Sequence, residues 1–482
     1  MLGQLDGIRS AGSNGESHAW QSDGERRERH RAGRHSKPVD LHLHGIGGDL
    51  HLHLCASTSS PSPRESSVEG RHNGVVPSVG PVVAGRAMSV LRRCRAVLRS
   101  ALDAGTKPRV QEVIKHAHLS IPSSFHTSTH LHKDPKATNF DLKMTIPTRE
   151  FGKTGEKVGC IGYGAMGLAA FYGEPVDQPT VNEVLSRCLE DGATFWDTSD
   201  VYSPMSSGKL GYNEGQIGEF FRTHPGSREK VFLCTKFIIN LKDGKMELNG
   251  SREWCHQACS DSLARLGVDQ IDLYYAHRPD PNTPVTTTVA AMKELKDAGK
   301  IRYIGVSEYN LEQLKAANEV VHIDALQIEL SPWTPDVLTN GILDWCVRNN
   351  TALVAYSPLG RGFLTGQYKS VEDFEENDFR RYNPRFTGDN FAKNLELVDD
   401  IRKIASRKNA TPGQIALAWL LQKSDAIIPI PGTKKEKYLI ENNKAANVTL
   451  DKSEVDEIDA IINSFKVSGT RYGPEMMATV AF

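Results

Sequence analysis

An aspartate and a tyrosine stand five residues apart in Trp196-Asp197-Thr198-Ser199-Asp200-Val201-Tyr202, directly after a short β-like run. A tyrosine hydroxyl, with a reference pKa near ~10, gives up its proton at neutral pH only if a cation sits beside it and a carboxylate fixes that cation. Two other runs end in groups of the right kind. Lys236 closes Val231-Phe232-Leu233-Cys234-Thr235-Lys236, and His277 closes Ile271-Asp272-Leu273-Tyr274-Tyr275-Ala276-His277. Carboxylate, phenol, ammonium and imidazole are together the parts of an acid-base site. Each alone has an ordinary reading: a helix cap, a surface charge, a satisfied core histidine. Four at successive strand ends make a more specific signal.

The elements that must position them begin near residue 144. Short apolar runs, seven of them rich in β-branched or aromatic residues, are expected as strands over 158–164, 194–198, 231–236, 271–277, 303–307, 325–330, 352–358 and 426–432. Helical spacing fills the intervals at 180–190, 214–221, 252–266, 285–298, 311–320, 337–348, 391–408 with 412–422, and 435–446. Ala298-Gly299-Lys300 ends one helix and Thr411-Pro412 starts another. Strict alternation of eight strands with helices predicts a (β/α)8 TIM barrel, with a last helix near 452–463 packed outside. In such a barrel the C-terminal strand ends converge on one face, which would gather Asp197, Tyr202, Lys236 and His277.

A rival lies in Gly162-Tyr163-Gly164-Ala165-Met166-Gly167, which matches the GxGxxG dinucleotide fingerprint and follows a strand, with Asp197 as the ribose acceptor. No helical pattern opens at its third glycine, since periodicity resumes only near Thr180, so a pyrophosphate would lack a helix N-terminus. Eight strand-helix units also exceed one Rossmann domain.

Composition divides the 482-residue chain. Residues 1–143 hold 20 Lys and Arg against 13 Asp and Glu and 13 of the 17 histidines, while the remainder holds 38 against 46. Rich in Gly, Ser, Pro, Arg and His, this first part is expected to be a low-complexity, largely disordered extension ahead of the barrel at 144–482. His42, His44, His51 and His53 alternate with leucines, a pattern compatible with a weak metal-binding hairpin but better accounted for by biased composition. Met88 to Arg99 is Arg-rich and helix-compatible, as in organelle-targeting segments, and could act so only if translation began near Met88. Cys255 and Cys259 have no second ligand pair and read as helix cysteines, so no metal is expected. Scattered cysteines and the lack of any long apolar run point to a soluble, cytoplasmic protein with reduced thiols.

Residues 144–482 resemble the aldo-keto reductase superfamily. The resemblance rests on Thr194-Phe195-Trp196-Asp197-Thr198, Thr235-Lys236, Tyr275-Ala276-His277-Arg278, Gly305-Val306-Ser307, Tyr356-Ser357-Pro358-Leu359-Gly360-Arg361-Gly362 and the Arg471-Tyr472 tail. These are similar to the NADP-dependent fungal, plant and bacterial branch that includes pyridoxal reductases. The resemblance implies reduction of an aldehyde or ketone, with Tyr202 as proton donor, Lys236 and Asp197 activating it and His277 orienting the carbonyl. It further implies NADP(H): Ser307 and Gln327 on the carboxamide, Tyr356 against the nicotinamide face, and Ser357, Leu359, Gly360 and Gly362 over the pyrophosphate. Gly432, Lys434 and Lys435 would meet phosphate, and Glu441 and Asn442 adenine. Glu308 stands where many relatives have Asn. The insertion 369–390 reads equally as a lid or as a solvated loop. The expected partner is a small carbonyl compound, with neither nucleic acid nor membrane implied. Some barrels of this superfamily instead serve as cofactor-sensing channel subunits.

Overall fold

In the computed structural model the chain divides into two units, Met1–His132 and Lys133–Phe482. The structure describes residues 145–242 and 245–482, together with the backbone of two earlier strands. Those strands, Asp40–Ile46 and Asp49–Cys55, pair antiparallel with His42 opposite His53 and His44 opposite His51. The histidine-leucine alternation thus forms a hairpin. The rest of the expected disorder over 1–143 and the Arg-rich segment 88–99 lie outside the described residues.

Eight strands of the second unit form one parallel sheet in chain order: Tyr163–Gly164, Phe195–Asp197, Phe232–Phe237, Ile271–Ala276, Ile301–Ser307, Ala325–Glu329, Ala352–Tyr356 and Ile427–Pro429. The sheet closes into a barrel where the Gly162 amide donates to the Pro429 carbonyl at 2.9 Å and the Gly164 amide to Pro431 at 3.4 Å. This seam requires glycine. A Cβ on Gly164 would lie 2.8 Å from the Ile430 carbonyl oxygen, and one on Gly432 2.6 Å from that of Gly164. The GxGxxG letters therefore mark barrel closure, and their second half enters a single 3₁₀ turn, Ala165–Leu168, in place of an α-helix.

The expected strand 158–164 is two elements. Lys157–Gly159 pairs antiparallel with Thr148–Glu150, and only Tyr163–Gly164 joins the barrel. The reason is apolar burial at the lower mouth: this hairpin carries Phe151, fully buried, with ring centroids 4.8 Å from Phe232 and 5.6 Å from Phe195. A further hairpin, Ile239–Lys242 with Lys245–Leu248, rises after the third barrel strand and was not legible as alternation.

Each barrel strand leads to a helix, in order Gln178–Asp191, Tyr212–Thr223, Arg252–Leu266, Val285–Asp297, Leu311–Val320, Ile342–Asn349, Asn390–Arg407 with Pro412–Lys423, and Glu436–Lys444; Lys452–Ser464 comes last. Local chemistry sets these ends. Ser251 caps Arg252–Leu266 by accepting from the Trp254 amide, and Gly267 ends it at φ 65°. Thr411 and Gln414 cap Pro412–Lys423 reciprocally. Cys255 and Cys259 lie buried on the inner side of Arg252–Leu266 as free thiols. Among the described residues no helix is long and apolar enough to cross a membrane.

Strand periodicity of two decides what faces the barrel axis. Phe195, Phe232, Cys234, Leu273, Tyr275, Ala325, Ala352 and Val354 pack together as the inner layer. Their neighbours Trp196, Leu233, Tyr274, Leu326 and Leu353 pack outward in the larger core. Extending the inner rows to the strand tops reaches Asp197, Lys236, His277, Ser307, Gln327 and Tyr356. Gly305 makes room beneath them, since a Cβ there would meet the Tyr275 ring at 2.4 Å.

Candidate active site

At the strand tops the Lys236 ammonium is enclosed completely. It donates to Asp197 Oδ1 at 2.5 Å, to the Thr198 carbonyl at 2.8 Å and to the Tyr202 hydroxyl at 3.3 Å. The other oxygen of Asp197 accepts from Gln327 Nε2 at 2.7 Å. Asp197 is thereby held as a carboxylate between two donors, and the lysine is aimed at the phenol. The imidazole of His277 meets the Tyr202 ring edge-on, with centroids 5.9 Å apart.

Electrostatics separates the roles. Burial disfavours the Lys236 charge, but Asp197 and Tyr202 together outweigh it and raise its pKa, so the cation persists at neutral pH. For Tyr202 burial dominates and raises the pKa above 10, with Lys236 offsetting only part of the effect. The sequence expectation that the cation favours the ionised phenol therefore has the right sign for Lys236 but not for the balance. The hydroxyl in this enclosed site therefore holds its proton at neutral pH.

Burial first, then Arg278 and Lys236, lower the His277 pKa well below 6.5, so the ring is neutral. The unfolded chain takes up a proton here below ~6.5, whereas the folded protein does not. The stability contributed is full above that pH and falls by ~1.4 kcal/mol per unit as pH drops below it, until the folded pKa is reached. Replacement His277→Gln should flatten the acid-side fall accordingly. Urea unfolding of both proteins between about pH 5 and 7 reads the difference, and parallel curves would refute it.

His277 also contacts Ser199, whose hydroxyl oxygen is 3.1 Å from Nδ1 and 3.2 Å from Asp200 Oδ1. Neither Ser199 nor Asp200 stands out in the sequence as a site residue; adjacency to Asp197 is their only signal. Both are buried.

The Asp197, Tyr202 and His277 side chains open into a cavity of about 820 Å³. Gln327, Tyr356, Ser357, Leu359 and Gly362 line the same space. So do Gly432, Lys434, Lys435, Glu441 and Asn442. Ser307 and Gly360 do not. Ser307 Oγ instead accepts from Arg278 at 3.3 Å, and Gly360 turns at φ 56° with its Cβ position 2.8 Å from the Trp333 ring. Lys434 donates to the Tyr172 and Glu174 carbonyls, both at 2.6 Å. Arg278 and Arg361 also line the cavity, one beside His277 in sequence and the other set among the loop glycines.

Glu308 is fully buried at φ 56° and accepts from Tyr356 Oη at 2.7 Å and the Ala481 amide at 2.9 Å. Its burial alone would raise the pKa; the guanidiniums of Arg278 and Arg471 overcome this and hold it below the usual range. The carboxylate thus ties the C-terminal tail to the barrel. The insertion 369–390 packs across the mouth: the Phe379 amide donates to the Phe171 carbonyl at 2.9 Å, and Asn377 Nδ2 to Glu174 Oε1 at 2.6 Å.

A closed eight-stranded barrel with this tetrad at the C-terminal strand ends defines the class, and comparison with known proteins agrees. The model of the "Aldo/keto reductase family" matches residues 160–463. The NADP(+) aldo-keto reductase yakc of Schizosaccharomyces pombe is 45% identical over 335 residues, covering 69% of this chain and 96% of that protein. Aldo-keto reductase str7 of Strobilurus tenacellus is 43% identical over 335 residues, covering 68% and 95%. A thermostable aldo-keto reductase solved with the inhibitor epalrestat is 28% identical with a TM-score of 0.52, covering 66% of this chain and 100% of that one. The glycerol dehydrogenase of Gluconobacter oxydans shares the fold at 24% identity and a TM-score of 0.59, covering 67% and 97%. The chain belongs to the aldo/keto reductase family and is an oxidoreductase of that type.

Proposed function

We propose that the protein reduces an aldehyde or ketone to an alcohol with NADPH. The observation that carries this reading is Lys236, bonded at once to Asp197 at 2.5 Å and to the Tyr202 hydroxyl at 3.3 Å, directly behind a cavity that Asp197, Tyr202 and His277 line. Tyr202 donates its proton to the carbonyl oxygen as negative charge gathers there, and Lys236 stabilises the tyrosinate left behind. Asp197 keeps the ammonium in place through that change. His277 orients the oxygen with a hydrogen bond and strengthens that bond as charge develops.

The cavity suits a dinucleotide phosphate. Its volume of about 820 Å³ is in the range of cofactor sites. Lys434 and Lys435 line it in the segment after the eighth strand, the usual phosphate position of barrels. Lysines there fit a 2'-phosphate, in keeping with the NADP(+) in the name of the yakc relative. Gln327 and Tyr356 would hold the nicotinamide end, and Glu441 and Asn442 the adenine end. Such a cofactor supplies the hydride.

The full-length protein, given NADPH and a panel of aldehydes and ketones that includes pyridoxal, should consume the reduced cofactor with at least one of them, followed by its absorbance. Tight NADPH binding without turnover on any compound would favour a cofactor-sensing role and sink the reductase reading.

A further inference from the structure

The role given to His277 requires a particular tautomer. A neutral imidazole carries one proton, and only Nε2–H can donate to a carbonyl oxygen if Nδ1 is turned toward the protein. Nδ1 faces Ser199 Oγ at 3.1 Å. Which of the two atoms holds the hydrogen in that contact decides whether His277 can polarise anything.

Ser199 has one hydroxyl proton and three acceptors in reach, His277 Nδ1 at 3.1 Å, Asp200 Oδ1 at 3.2 Å and, farthest, the Lys236 carbonyl at 3.5 Å. An ionised Asp200 would take the proton. Nδ1 would then have to donate to Ser199, and Nε2 would be bare. An uncharged Asp200 reverses every bond: its carboxyl hydrogen donates to Ser199 Oγ, and the serine donates to Nδ1. Ser199 Oγ also accepts from the Val201 amide at 3.4 Å, so in this arrangement its donor and both lone pairs are used.

The surroundings favour the uncharged form. Asp200 is 1% exposed, and its Oδ2 is enclosed with no hydrogen-bond partner. A bare carboxylate oxygen in that position is far costlier than the carbonyl oxygen of a neutral acid. Among the charged groups facing Asp200, Glu214 repels a negative charge. Arg265 attracts one but is already bonded to Glu214 at 2.7 Å. Tyr274 adds a neutral ring. Burial, then Glu214, push the Asp200 pKa well above the usual carboxylate range.

We propose that Ser199 and an uncharged Asp200 are positioning residues that fix His277 in the Nε2–H tautomer, so that it presents a donor to the carbonyl oxygen. The inference rests on the reductase reading for its purpose but not for its test. In the resting full-length protein with ¹⁵N-labelled histidine, the His277 resonances, assigned by their loss in His277→Gln, should show protonated Nε2 and bare Nδ1. A proton on Nδ1 overturns the relay, whether or not the enzyme turns over. A correct tautomer in a protein that reduces nothing leaves the relay standing and removes the reductase reading.

Kinetics gives the second arm. Loss of the serine proton in Ser199→Ala should lower kcat ~10- to 100-fold, the span found when the hydrogen-bond partner that orients a metal-bound histidine is removed, with KM for NADPH unchanged. Asp200→Asn supplies an amide N–H in place of the carboxyl hydrogen and should keep both kcat and the Nε2–H signature. A folded Asp200→Asn protein with the proton moved to Nδ1 would overturn the proposal.

Discussion

Replacing Tyr202 by Phe should lower the rate of NADPH-dependent carbonyl reduction by ~10²- to 10⁴-fold, the span that a positioned acid contributes. The change removes one oxygen and little else. The ring keeps its edge contacts with His277 at 5.9 Å and Phe171 at 6.5 Å. Lys236 keeps Asp197 and the Thr198 carbonyl as acceptors, so its charge stays paired. Cofactor affinity, read by quenching of protein fluorescence, should therefore be unchanged while single-turnover reduction collapses. A rate within a few-fold of the parent would remove Tyr202 as the acid.

Replacing Lys236 by Met should have the largest combined effect. Methionine preserves the approximate length of the side chain but leaves Asp197 enclosed without its counter-ion. Breaking one half of a buried pair typically costs ~3 to 5 kcal/mol, because the surviving charge loses its partner and cannot regain water. Urea denaturation should show that loss. Reduction should fall at least as far as in Tyr202→Phe, since the tyrosinate would form with no cation 3.3 Å away. The double variant Asp197→Asn with Lys236→Met should recover part of the stability and none of the activity. Recovery of both would show that the pair is structural only.

Glu308 shows how a local reading falls short. As a lone substitution for Asn it suggests a weakened cofactor contact, because a carboxylate accepts but does not donate. In the folded protein its oxygens are already engaged by Tyr356, Ala481 and Arg471, the last two from the far end of the chain. No pattern within a few residues of Glu308 announces partners 163 and 173 positions away. The same holds for Lys434, whose ammonium is bonded to backbone carbonyls of the loop after the first barrel strand.

What the sequence by itself determined is the scaffold and the aim of its strands. Apolar runs alternating with capped helices dictate the barrel, and a side-chain period of two then sends Asp197, Lys236, His277, Gln327 and Tyr356 to one mouth. Those are consequences of local geometry repeated eight times. Tertiary structure decided everything that depends on enclosure and on distant neighbours. It split the first expected strand so that Phe151 could plug the lower mouth, and it used the glycines of a nucleotide-like motif to close the seam. It also raised the Tyr202 pKa against the pull of its own lysine, because desolvation depends on the atoms that surround a group in space. Ser199 and Asp200 belong to that second kind: unremarked three and two residues before Tyr202, they gain their meaning only when the fourth barrel strand brings His277 beside Ser199.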